Sequence, residues 1–188
     1  MAIFDRLTLM KVHTVLATFI LPAVIMFLVT GSFYTWGIKG SYETTVHKLH
    51  LQTPLQGQLI ELVALTEKEL KERNISIPTG KAKIKEVGTS FRLEWSGSTK
   101  DVMLEPTAQP LIAKLKIKKT SWYRQFVQLH KAKGGSPFKV YAAMLATGLL
   151  LLLVTGFIMA LQTPKLRNLT LVSTTLGIAV FIVMIMSS

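Results

Sequence analysis

Four histidines, His13, His47, His50 and His130, are the residues whose type and placement point to chemistry. The chain has no cysteine, which excludes disulfides, thiolate nucleophiles, iron–sulfur clusters and covalent haem attachment. A bound metal or cofactor must therefore be held by His, Asp, Glu, Met or Tyr. His47 and His50 are spaced i, i+3 within TTVHKLHL. If the preceding apolar helix continues past Lys39, the two share one face just outside a bilayer. Such a pair can grip a metal ion, or supply one axial ligand with a supporting partner. Neutral imidazole suits iron, copper and zinc alike. With no cysteine and no clustered carboxylate, a tetrahedral zinc site has little to rest on, whereas haem iron needs only one or two axial histidines.

His13 stands at the start of a long apolar run. Ionisable groups inside membrane helices are costly and usually functional. Ala17, one turn on, leaves room for a flat group beside the imidazole. The competing reading is an interfacial histidine that reaches back to water. No hydrolase constellation is present: the two aspartates, Asp5 and Asp101, form no motif with a histidine. Gly134-Gly135 lacks the strand and lysine context of a phosphate loop.

The elements that must position these residues are mostly membrane helices. Of 188 residues, 49% are hydrophobic and 17% charged, against about a quarter charged in soluble domains. Three runs are long enough to cross a bilayer: Lys11 to Lys39, Lys139 to Lys165, and the stretch after Arg167. The first is too long for the apolar region of a cleaved signal peptide. This predicts an α-helical membrane protein of three transmembrane helices with a small α+β domain between the first and second. The boundaries are 1–38 for the first helix with its short cytoplasmic start, 39–137 for the domain, and 138–188 for the remaining two helices.

The short loops are basic, with Arg6 and Lys11 before the first span and Lys165 and Arg167 between the second and third. The positive-inside rule places them in the cytoplasm. The region 39–137 and the C-terminus then lie on the far side of the membrane. The net charge is +12, and the region from Lys39 to Lys139 holds 18 Lys and Arg against nine Asp and Glu. A surface of that sign suits anionic lipid or an anionic small ligand. A nucleic-acid partner is not expected outside the cytoplasm.

Within the domain, residues 56–74 place Leu59, Leu62, Val63 and Leu70 on one face of an amphipathic helix ending near Asn74. The runs KAKIKEV, SFRLEW, DVMLEP and LIAKLKIK predict three or four antiparallel strands. TSWYRQFVQLHKAKGG predicts an interfacial helix that brings His130 to the outer membrane face, broken by Gly134-Gly135. Ser136-Pro137 is the expected N-cap and first residue of the second span.

His13 with Ala17 and Thr30-Gly31, then Leu129-His130 and Thr155-Gly156, give two membrane helices that each pair a histidine with a later Thr-Gly. In that order, around an α+β domain, they resemble the PepSY-associated transmembrane helix family over nearly the whole chain. The resemblance implies a PepSY-like domain and a haem-b-containing inner-membrane ferric reductase, akin to small iron-uptake factors. Such a protein would sit in a bacterial inner membrane with residues 39–137 and the C-terminus in the periplasm, pass electrons outward to reduce Fe3+ to Fe2+, and feed a ferrous iron transporter. The implied axial ligands are His13 near the inner face, and His47 or His50 with His130 near the outer face. Arg124, Lys131 and Lys133 would pair with haem propionates or an anionic ferric chelate. The implied donor is a membrane quinol or a cytoplasmic flavin. Three spans are too few to enclose a haem, which favours a homodimer; the small residues Ala142, Ala143, Ala146 and Thr147 suit close helix approach, either between two copies or within one chain. The alternative is a non-enzymatic, membrane-anchored accessory protein of a metal transporter. A weaker option is a divalent-metal site at His47 and His50.

Overall fold

The computed structural model describes residues 5–188. It divides into two compact units. One comprises the described residues up to Val24 together with Ala143–Ser188; the other is Ile25–Ala142.

Three helices are long and apolar enough to cross a membrane: α1 (Arg6–Thr35), α4 (Gly135–Gln162) and α5 (Pro164–Ser187), with mean hydropathy 2.3 to 2.4. In the first unit, Ile20 of α1 is buried and meets α4 at Gly148, where a Cβ would lie 3.6 Å from Ile20 Cγ2. Side-chain hydroxyls in these helices bond back to carbonyls one turn earlier, as Thr18 does to Thr14 and Thr170 to Leu166. That satisfies polar groups without a partner helix, as an apolar solvent requires. Pro164 opens α5, where its missing N–H costs nothing. No residue of α5 is buried.

The second unit is built on a five-stranded antiparallel sheet of order β1-β5-β4-β3-β2. Its strands are β1 (Tyr42–His50), β2 (Ala82–Val87), β3 (Ser90–Ser96), β4 (Lys100–Pro106) and β5 (Ile112–Thr120). The four predicted runs are β2 to β5. One face carries Leu93, Trp95, Val102, Leu104, Ala113, Leu115 and Ile117, alternate residues of three strands that pack with Leu49, Leu62 and Leu70. Leu62, Thr66 and Leu70 form the buried stripe of α2 (Leu59–Glu72), which covers this face.

The condition under which His47 and His50 would share a helical face, a first helix continuing past Lys39, is not met. Helix α1 stops at Thr35. Gly37 takes φ +81°, its N–H bonds to Tyr34 O, and Ile38 N–H bonds to Phe33 O at 2.9 Å. This is a Schellman cap, closed by a residue in the left-handed region. The chain then turns at Gly40 (φ +71°) and enters β1. The β-branched Thr44, Thr45 and Val46 pair with Lys118, Ile117 and Lys116 of β5, so sheet pairing wins over continued helix. A correction concerns α4, which begins at Gly135 (φ +80°) and carries Ser136 and Pro137 inside its first turn.

Candidate functional site

Two histidine stations stand out, one in each unit, built the same way. In the first unit His13 of α1 is half-buried, with Nδ1 3.0 Å from Thr155 Oγ1 on α4. The Thr155 hydroxyl points at Leu151 O, 2.8 Å away, with Leu152 O at 3.1 Å. A threonine hydroxyl has one proton. Given to a carbonyl, it leaves only oxygen lone pairs for the histidine. With that proton on a carbonyl, Nδ1 is the donor of the His13–Thr155 bond, and Nε2 makes no hydrogen bond among the described residues. Gly156 follows, and a Cβ there would lie 3.4 Å from His13 Cε1, so the ring edge rests on bare backbone. A groove of about 380 Å³ runs beside the imidazole, lined by Met10, Thr14, Gly156 and Met159. The open space is at Gly156 and Met159; Ala17 does not line it.

In the second unit His130, at the end of α3 (Trp122–His130), places Nδ1 2.9 Å from Thr30 Oγ1 on α1. Thr30 is buried, and its hydroxyl donates to Met26 O at 2.6 Å. The same proton count makes His130 an Nδ1–H donor with a free Nε2. Gly31 is tighter than Gly156, since a Cβ there would come within 3.2 Å of His130 Cε1. The Phe27 ring flanks the imidazole at 5.0 Å. His130 is otherwise exposed. Both Thr-Gly pairs noted in the sequence are thus histidine seats, each on a helix other than the one its histidine occupies.

His47 and His50 do not share a face. Three residues apart on a strand point to opposite sides of a sheet. His47 pairs with Leu115 on the side covered by α2, and His50 with Ile112 on the other. No group of three or more His, Cys, Asp or Glu that could hold a metal ion occurs among the described residues.

Arg124, Lys131 and Lys133 are partly engaged. Arg124 donates to Lys39 O at 2.9 Å and Tyr42 Oη at 2.8 Å, and its guanidinium lies 4.6 Å from the Tyr42 ring centre. Lys133 approaches buried Asp101 at 3.6 Å, and Lys131 lies over the Tyr34 ring. The sequence reading missed the cluster behind them. Tyr42 donates to Asp101 Oδ2 at 3.0 Å, and fully buried Gln128 donates to both. Burial holds the Tyr42 hydroxyl above its usual range, against the lowering effect of Arg124. This cluster ties α3 to strands β1 and β4, and so supports the helix that carries His130. Its only sequence signal was an isolated Asp101 in an apolar strand.

The donor set fits an axial haem ligand: an imidazole oriented by a hydrogen bond at Nδ1, with no hydrogen bond at Nε2 among the described residues. No curated protein and no solved structure matches the chain. Residues 4–163 match the family model described as the PepSY-associated TM region, and the chain belongs to that family of membrane proteins.

Proposed function

We propose that this chain is a haem-b-bearing ferric reductase of the bacterial inner membrane that delivers electrons outward, reducing Fe3+ to Fe2+ for ferrous uptake. The observation that carries this reading is the pair of histidine seats. Twice, a threonine hydroxyl bonded to a carbonyl one turn earlier also meets a histidine Nδ1, and a glycine lets the ring lie close to the helix. A solvated surface histidine needs neither device.

His13 and His130 would hold haem through Nε2. Haem supplies a one-electron ferric–ferrous couple when bound. The chain's own residues set ring orientation (Thr30, Thr155) and flank the ligand nitrogen with apolar groups (Phe27, Met10, Met159). Arg6, Lys11, Lys165 and Arg167 orient the spans with the N-terminus in the cytoplasm and the α+β domain in the periplasm. His13 then sits toward the donor, a quinol or flavin, and His130 toward the ferric chelate. Helix α5 buries none of its residues, which leaves surface for the second copy of a homodimer.

The test is the visible spectrum of protein purified from haem-replete cells, oxidised and dithionite-reduced. The expected result is a Soret band that shifts on reduction, reoxidation by ferric citrate, and loss of haem in H13A and H130A. A colourless protein that gains no Soret band on haem addition sinks the reading. The second reading is an accessory protein of a metal transporter. It is favoured by the basic domain, which can dock a partner without any cofactor. Under it, H13A and H130A support iron uptake as well as the unmodified chain does.

A further inference from the structure

A hollow of about 540 Å³ lies at the end of the α2-covered face of the sheet, next to the residues that follow α2. The starts of β1 and β4 and the end of β5 line it. Two lysines dominate it. Lys100 and Lys119 are direct partners across β4 and β5, so two ammonium groups project from one register position on one face. Like charges directly opposite are destabilising. Neither lysine takes part in an ion pair among the described residues. Burial, with Lys119 beside it, holds the Lys100 ammonium below its ordinary pKa.

The remaining wall is rich in donors. Lys100 Nζ bonds Ser76 O at 3.0 Å and Ser76 Oγ at 2.6 Å, which leaves one of its three N–H groups free. Thr45, Thr99 and Asn74, each with a side-chain hydroxyl or amide, also line the hollow. Asn74 is held there by the Schellman cap that ends α2, at φ +55°. Ile75 and Ile117 supply an apolar patch, and Glu43 is the one carboxylate in the lining. Donors and cations in excess of acceptors, around a space with an apolar wall, are complementary to an anion with several oxygens and a short carbon skeleton.

We propose that this hollow binds a small soluble organic oxyanion, a carboxylate or phosphate. Its oxygens take the free N–H groups of Lys100 and Lys119 and the hydroxyl of Thr99, and its carbon portion lies on Ile75 and Ile117. The site is separate from both histidine seats, and the proposal stands whether or not the chain binds haem.

The experiment uses the full chain in a neutral maltoside detergent, titrated with citrate and with inorganic phosphate at ionic strength held constant with chloride. Thermal unfolding is read at each point. A ligand that binds only the folded state raises the midpoint in a saturable way. The expected result is a saturable rise with at least one of the two anions. K119Q should weaken it about tenfold or more, T99V should weaken it to a lesser degree, and K83Q, far from the hollow on β2, should leave it unchanged. Lys119 is exposed, so its substitution leaves the fold intact. The absence of any saturable rise, or a rise equal in K119Q and K83Q, overturns the proposal. A site that responds only when phosphatidylglycerol is added to the micelle overturns the assignment to a soluble ligand.

Discussion

Thr30 and Thr155 each spend their hydroxyl proton on a carbonyl one turn earlier, and each lies within 3.0 Å of a histidine Nδ1. Replacing the hydroxyl with a methyl of similar volume removes the acceptor and frees the ring to change tautomer. T30V and T155V are therefore expected to weaken haem retention about 10- to 100-fold, the usual cost of losing a ligand's orienting partner. T30S and T155S should retain it. Haem-to-protein ratio and midpoint potential, measured on each variant, check this; unchanged values in both valine variants contradict it. Tyr42 makes a second prediction at this scale. Burial raises its pKa above 10.0, so the folded chain keeps the phenol proton at a pH where the unfolded chain has lost it. Its contribution to stability is whole below pH 10 and is lost as pH rises from there through the folded value. Y42F should remove that part of the alkaline fall in stability, and unfolding midpoints between pH 9 and 11 measure it.

Helices α1, α2 and α3 end in the same way, with the residue two past the helix in the left-handed region and its successor bonded five residues back. In α1 that residue is Gly37, in α2 it is Asn74 and in α3 it is Ala132, at φ +57°. Alanine pays about 1 kcal/mol or more for this conformation and glycine does not. A132G is expected to stabilise the Ile25–Ala142 unit by roughly 0.5–1 kcal/mol, read as a higher unfolding midpoint. Gly80 is the opposite case. Its N–H bonds Ser96 O, its own carbonyl accepts the Trp95 indole N–H at 2.9 Å, and a Cβ would overlap the Ser96 carbonyl oxygen. G80A should destabilise the unit by about 3 kcal/mol, because backbone and not a movable side chain is in the way. The strands β2 to β5 were legible because each alternates over an apolar core. β1 was not, because its alternation is weak and only pairing with β5 gives it a face.

At the scale of the whole chain, the absence of cysteine makes the proposed orientation directly measurable. Single cysteines at Lys85 in β2 and at Arg167 between the last two spans should react differently with a membrane-impermeant maleimide in intact spheroplasts. K85C should label and R167C should not until the membrane is permeabilised; the reverse pattern inverts the topology. The sequence by itself determined the three membrane-spanning helices, the family, and the strands over the core. It could do so because apolar length and two-residue alternation are properties of adjacent residues. It also marked His13, His130 and both Thr-Gly pairs, but as separate points along the chain. Only the tertiary structure decided which threonine meets which histidine, because those contacts join residues 142 and 100 positions apart. It alone parted His47 from His50, because a glycine cap ended the helix and a distant strand claimed the segment. Lys100 and Lys119 likewise became one site only when β4 paired with β5. Hydrogen bonds and ladder register depend on the partner as much as on the residue, and the partner is fixed only on folding.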